Sequence, residues 1–143
     1  MKKDYFKLQF SSLSTNESFA RSVIGVYSLR LNPTLSQISD IKTAVSEAVT
    51  NCIVHGYPDN VGEIIMEAYL EGDNLHINVL DEGVGIENLS AALEPFYTTK
   101  EEEERSGMGF TIMKRFMDDV NVVSEKGKGT KVYMVKNLGI DAK

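Results

Sequence analysis

The segment Asn74-Leu75-His76-Ile77-Asn78-Val79-Leu80 runs directly into Asp81-Glu82-Gly83-Val84-Gly85. Residues 74–80 read as a strand, and residues 63–70 as the strand before it, joined through the turn Glu71-Gly72-Asp73. Two glycines separated by one residue allow positive φ and a close approach of the backbone to a ligand. An Asp at a strand end can accept a hydrogen bond from an exocyclic amine such as that of adenine. The same five residues also suit a plain turn with a capping Asp. The third glycine and the immediate helix of a dinucleotide-binding fingerprint are missing.

On the N-terminal side, residues 5–10 alternate, with Phe6, Leu8 and Phe10 on one face of a strand. Ser14-Thr15-Asn16-Glu17 fits a capping box, and Phe19, Val23, Val26 and Tyr27 then recur at helical spacing. That helix is expected to end near Leu31, ahead of Pro33. A second begins around Thr34 to Ser36 and turns Ile38, Ile41, Val45, Ala48 and Cys52 toward the core. His55-Gly56-Tyr57-Pro58 stops it. On the C-terminal side, glycines and charges dominate from Asp81 to Gly109, with a short helix expected over 89–93. A loop of that length in a compact domain points to function or disorder. Residues 110–117 resume helical periodicity. Residues 120–124 and 130–135 read as a closing hairpin around Glu125-Lys126-Gly127-Lys128-Gly129. The order is strand, two helices, hairpin, long loop, helix, hairpin. It predicts an α+β fold, a two-layer sandwich whose mixed, mostly antiparallel sheet carries its helices on one face.

The 143 residues suit a single domain, 1–143, without repeats or linkers. A formal charge of −6 disfavours non-specific binding to nucleic acid or anionic membranes, though it leaves room for a local basic pocket. The single Cys52 excludes an intrachain disulfide and a cysteine-built zinc site. Two histidines with no HExxH argue against a histidine-rich metal centre. No apolar run approaches the ~18 residues of a membrane span, and Met1-Lys2-Lys3-Asp4-Tyr5-Phe6 is no secretory leader. The chain is expected to be soluble and cytoplasmic.

Three further segments carry chemistry. Glu47 and Asn51 stand four apart in the second helix, so their side chains emerge on one face about 5–6 Å apart. They suit a general base beside an oxygen ligand for Mg²⁺, and equally a solvated surface pair. In Arg105-Ser106-Gly107-Met108-Gly109-Phe110, glycines lead into a helix whose free amides and dipole suit a phosphate, or simply ease the helix entry. Gly127-Lys128-Gly129-Thr130 makes a tight turn, and the Thr hydroxyl could reach a base or a water. There is no GxxxxGK[ST] and no kinase HRD or DFG, which excludes a P-loop nucleotidase and a eukaryotic-type kinase.

In this order and spacing, the four segments resemble the GHKL ATP-binding family of gyrases, histidine kinases and MutL-type proteins. Glu47 to Asn51 is similar to its N-box, and Asp81 to Gly85 to its first glycine box. Gly107-Met108-Gly109 is similar to the second, and Gly127-Lys128-Gly129-Thr130 to the closing G-x-G-T. Asn16-Glu17-Ser18-Phe19-Ala20-Arg21, Val45 to Asn51, Arg105 to Met113 and Phe116-Met117-Asp118-Asp119-Val120 closely resemble the anti-sigma F branch, serine kinases of sporulating bacilli.

That resemblance implies a protein that inhibits a sigma factor of the F type. It also implies Mg-ATP-dependent phosphorylation of a serine on an anti-anti-sigma factor. It gives Asp81 the adenine amine, with Thr130 assisting, and Asn51 the Mg²⁺ that bridges the phosphates. Gly83 and Gly85 would bend around the nucleotide, while Ser106, Gly107, Met108 and Gly109 would meet the phosphates. Glu47 would be the general base and Arg21 a partner contact. Lys100 and Arg105, in a loop with Thr98 and Thr99, would reach the γ-phosphate. A homodimer is implied, and the strand over 5–10 offers a sheet edge for it. The alternative is a nucleotide-dependent binding module that sequesters a partner without phosphotransfer, which has no need of a carboxylate at Glu47. A histidine kinase catalytic fragment is a further alternative, but no helical hairpin here carries a phosphoacceptor histidine. His55 and His76 read as structural, Met108, Met113 and Met117 as packing, and Glu101-Glu102-Glu103-Glu104 as a solvated run.

Overall fold

The computed structural model describes residues 4–86 and 109–143. Alternation makes β1 (Tyr5–Ser11) a strand with Phe10 buried and Phe6 and Leu8 packed beside it. The expected capping box does not open α1 (Thr15–Ser28). Ser14 already has helical φ/ψ (−57°, −30°) and makes no side-chain cap, whereas a capping residue needs extended geometry for its oxygen to reach forward. Asn16 instead donates its amide to the Ser11 carbonyl at 2.8 Å.

The buried stripe of α1 lies one residue along from the predicted one. Ala20, Ile24 and Tyr27 are buried, while Phe19 is 50% and Val26 65% exposed. Small residues face α2 because the helices meet closely there. A Cβ on Gly25 would lie 3.1 Å from Lys42 Cδ. After a tight turn at Leu29–Leu31, Asn32 takes left-handed geometry (φ 50°) and ends the run ahead of Pro33, as expected.

α2 (Leu35–Asn51) opens on a reciprocal cap. Gln37 N–H donates to Thr34 Oγ1 at 3.1 Å, and Thr34 N–H donates to Gln37 Oε1 at 2.9 Å. Its core side buries Ile41, Ala44, Val45, Ala48 and Val49, with Ile38 half-buried. Truncating a fully buried Ile such as Ile41 to Ala costs about 2–5 kcal/mol. The helix continues past Asn51 as a single wide π-turn, Cys52–Gly56, in which Tyr57 N–H donates to Cys52 O at 3.0 Å.

The hairpin β2 (Glu63–Glu71) and β3 (Asn74–Asp81) turns at Gly72, whose φ of 61° needs a residue without Cβ. α3 (Gly109–Phe116) leads to β4 (Asp119–Glu125) and β5 (Gly129–Asn137). The sheet order is β1-β2-β3-β5-β4. Every pairing among the described strands is antiparallel. Ile64, Met66, Leu75, Ile77, Val79, Val132 and Met134 share one buried cluster with the helices, so the two-layer α+β expectation holds. Lys136 fastens α3 to that layer. Its Nζ donates to Phe116 O at the helix end (2.5 Å) and lies 3.5 Å from Asp40 of α2. Among the described residues no helix is long and apolar enough to cross a membrane.

Candidate functional site

Helix geometry alone places Glu47 and Asn51 on one side of α2, and the start of α3 closes over both. A Cβ on Gly109 would lie 3.0 Å from Asn51 Nδ2, 3.2 Å from Asn51 Oδ1 and 3.4 Å from Glu47 Oε2. The structure thus brings together three of the expected residues that are far apart in sequence. Ser46, next to Glu47, donates a hydrogen bond to Glu17 of α1, which also pairs with Arg21 at 3.5 Å. Arg21 is therefore half-buried and joined to the Glu47 helix, rather than projecting freely as periodicity suggested.

The Asp81 end is built from backbone. β3 delivers Asp81 5% exposed, opposite Ile64 on one side and Thr130 on the other. Its carboxylate accepts the Gly83 N–H at 2.9 Å, and also hydrogen bonds from the Cys52 thiol and the Thr130 N–H. Burial raises the Asp81 pKa, and these donors partly restore it. Burial, with the Asp81 charge second, pushes the Cys52 thiol well above its usual range, so it stays protonated. The π-turn aims Gly56 O at Val84 N–H, 2.9 Å away. A Cβ at Gly83 would lie 2.0 Å from Gly56 O, which explains that glycine sterically. At Gly85 (φ 75°), a Cβ would lie 2.1 Å from Glu125 O.

Gly129 (φ 94°) passes Asp81 O just as closely, at 2.1 Å from a would-be Cβ. Thr130 is half-buried, and its hydroxyl meets Ser124 Oγ at 2.7 Å. Ser124 Oγ donates to Gly129 O (3.1 Å) and accepts the Ile86 N–H (2.8 Å). Its single proton is thus used, so Thr130 is the donor of that pair and keeps lone pairs for a ligand or water.

Sequence reasoning missed Ser124, Gly56, Cys52 and Tyr57. The Tyr57 hydroxyl donates to Glu63 O (2.7 Å) and accepts the Glu82 N–H (2.8 Å), tying the glycine box to β2. Burial raises the Tyr57 pKa, keeping that proton in place. The His55-Gly56-Tyr57 stretch had been read as a helix stop alone, although a Gly beside an aromatic is itself a signal of close packing. Ser124 carries no sequence signal.

Lys100, Arg105, Ser106, Gly107 and Met108 lie outside the described residues, as do Thr98, Thr99, Glu101 to Glu104 and the helix expected over 89–93. His76 stacks on Tyr69 on the outer face of the sheet, with ring centroids 4.5 Å apart. Among the described residues no group of three or more His, Cys, Asp or Glu is placed to hold a metal. An Mg²⁺ here would take Asn51 as its protein oxygen and complete its shell with phosphates and water, which the chemistry of that ion accepts.

A family model described as a histidine kinase-like ATPase domain matches residues 10–136. The chain is 53% identical over 135 residues to an anti-sigma F factor of Thermoanaerobacter sp. (strain X514), covering 94% of each chain. It is 50% identical over 140 residues to an anti-sigma F factor of Clostridium acetobutylicum, covering 98% of each. Among solved structures, it resembles that of the RsbU and RsbW domains of a Mycobacterium tuberculosis protein. The TM-score is 0.67 at 18% identity, covering 94% of this chain and 32% of that one, a likeness of fold.

Proposed function

Because this chain belongs to the histidine kinase-like ATPase family and, within it, to the anti-sigma F factors, we propose that it is an Mg-ATP-dependent protein serine kinase that inhibits a sigma factor of the F type and phosphorylates a serine of an anti-anti-sigma factor. Nucleotide binding and use of ATP follow from the family; the protein substrate and the residue roles are our reading. The observation that carries it is the contact of Gly109 with both Glu47 Oε2 and the Asn51 amide, at one end of a cleft whose other end is the buried Asp81.

In this reading, Asp81 accepts a hydrogen bond from the adenine amine, and the Thr130 lone pairs help directly or through a water. Asn51 holds Mg²⁺, which neutralises phosphate charge. Glu47 accepts the proton of the substrate serine as its Oγ bonds to the γ-phosphorus and the bond to the β-phosphate oxygen breaks. A positioned base contributes about 10²–10⁴-fold, with orientation and charge neutralisation supplying most of the rest. The Gly107-Met108-Gly109 amides, with Lys100, Arg105 and Ser106, contact the phosphates. Arg21 contacts a protein partner. β1, paired only to β2 among the described strands, offers its outer edge to a second copy in a homodimer. The site of action is the cytoplasm, where transcription is regulated.

The deciding experiment is incubation with Mg-ATP and a co-encoded anti-anti-sigma protein. Phosphoserine on that protein is the expected product. Nucleotide-dependent binding with no phosphoserine would leave a sequestering module and overturn the kinase reading.

A further inference from the structure

We propose that Cys52 is a positioning residue for base recognition: its thiol holds the Asp81 carboxylate in the one orientation that accepts an amine from a 6-aminopurine, and so sets the preference for 6-amino over 6-oxo nucleotides. The proposal rests on the adenine role of Asp81 given above.

Cys52 is 3% and Asp81 5% exposed. The two residues hydrogen-bond, and because an ionised carboxylate only accepts, the hydrogen belongs to the thiol. A carboxylate has about four acceptor positions. Among the described residues, Gly83 N–H, Thr130 N–H and Cys52 S–H occupy three of them, leaving one for a ligand. Two of these donors are main chain and keep their places whatever the side chains are. Cys52 is the side-chain donor, so it is the one that substitution can remove.

The carboxylate is also hemmed in from the helix side. A Cβ on Gly56 would lie 3.0 Å from Asp81 Cγ, Oδ1 and Oδ2 alike, so the group has a wall on that side. Cys52 and Gly56 are the first and last residues of the same π-turn. That turn therefore supplies both the wall and the anchor that fix the carboxylate.

A fixed carboxylate meets a 6-amino group with a free acceptor, but meets a 6-oxo group lone pair to lone pair. With the thiol removed, the carboxylate can turn, and the site loses part of its advantage for the amine. One neutral hydrogen bond corresponds to about three- to tenfold in an equilibrium constant.

The test measures dissociation constants for ATP and inosine triphosphate with the full chain and with Cys52→Ala, Cys52→Ser and Asp81→Asn, each checked by a nucleotide-free melt. We expect Cys52→Ala to lower the ATP preference about three- to tenfold, mainly through weaker ATP binding. Cys52→Ser, which keeps a donor, should recover most of it. An unchanged ratio in Cys52→Ala, or a loss in Cys52→Ser as large as in Cys52→Ala, overturns the proposal. If Asp81→Asn loses the preference while Cys52→Ala keeps it, only the Cys52 role falls. A wild-type ratio in Asp81→Asn removes the adenine role of Asp81 and this proposal together.

Discussion

At the Asp81 end of the cleft, backbone meets backbone. Gly83 lies against the Gly56 carbonyl, Gly85 against Glu125 and Gly129 against Asp81, each too close for a Cβ. At the Glu47 end, Gly109 lies against side chains, the Asn51 amide and the Glu47 carboxylate. Main chain cannot yield without moving a strand or a helix turn, whereas side chains can rotate. One end is thus rigid and suits recognition of a flat base. The other is adjustable and suits groups that must follow a reacting phosphate.

The largest expected effect isolates the adjustable end. Glu47→Ala should lower phosphotransfer about 10²–10⁴-fold while ATP still raises the melting temperature as in the wild type. Equal loss of both would sink the general-base assignment. Next comes a pair of glycines that contrasts the two ends. Gly83→Ala should cost about 1–3 kcal/mol of stability, as overpacking does, and abolish the ATP-induced shift. Gly109→Ala should melt near the wild-type temperature yet transfer phosphate poorly. If both variants melt alike, the contrast between main-chain and side-chain contact is wrong.

A smaller effect tests the link between the two glycine-rich turns. Ser124→Ala removes the acceptor of the Ile86 N–H and the partner of Thr130, and a loss of about 1 kcal/mol is expected in denaturant unfolding. The smallest effect concerns pH. Burial raises the folded-state pKa of Asp81, so its contribution to stability is present at low pH and is lost as pH rises through that pKa. The melting temperature of Asp81→Asn relative to wild type should therefore climb with pH from the ordinary carboxylate range and then level off. A flat or falling difference would contradict the burial of an ionised group.

The same contrast decides what was legible beforehand. Alternation in Phe6, Leu8 and Phe10 and the glycine at position 72 gave strands and a turn close to their true limits. The i, i+4 spacing of Glu47 and Asn51 gave their common face, because an α-helix carries its geometry in its period. Thr34-Leu35-Ser36-Gln37 also spells a capping box that could have been read. Ser14 matched the same pattern without forming one, since the pattern does not report the φ/ψ of the capping residue. Phe19 and Val26 turned out exposed because contact with α2 favours small Ala20 and Gly25 over greater hydrophobicity. The Gly56–Val84 bridge, the Ser124 hub and the thiol–carboxylate contact join residues dozens of positions apart. They depend on register and on a π-turn that no local period announces.

The π-turn at Cys52–Gly56 amounts to one extra residue stored in a helix. Its consequence is a reading-frame constraint within the fold. Deleting any one residue from it would let α2 continue in ordinary α register, and the deletion itself need not weaken the helix. Yet every group beyond the deletion would be rotated by about 100°, one residue's worth of helical turn. The Gly56 carbonyl would then face away from Val84, and Tyr57 away from Glu82. A variant with that residue missing should keep its helix content and lose its nucleotide, separating the length of the helix from its phase.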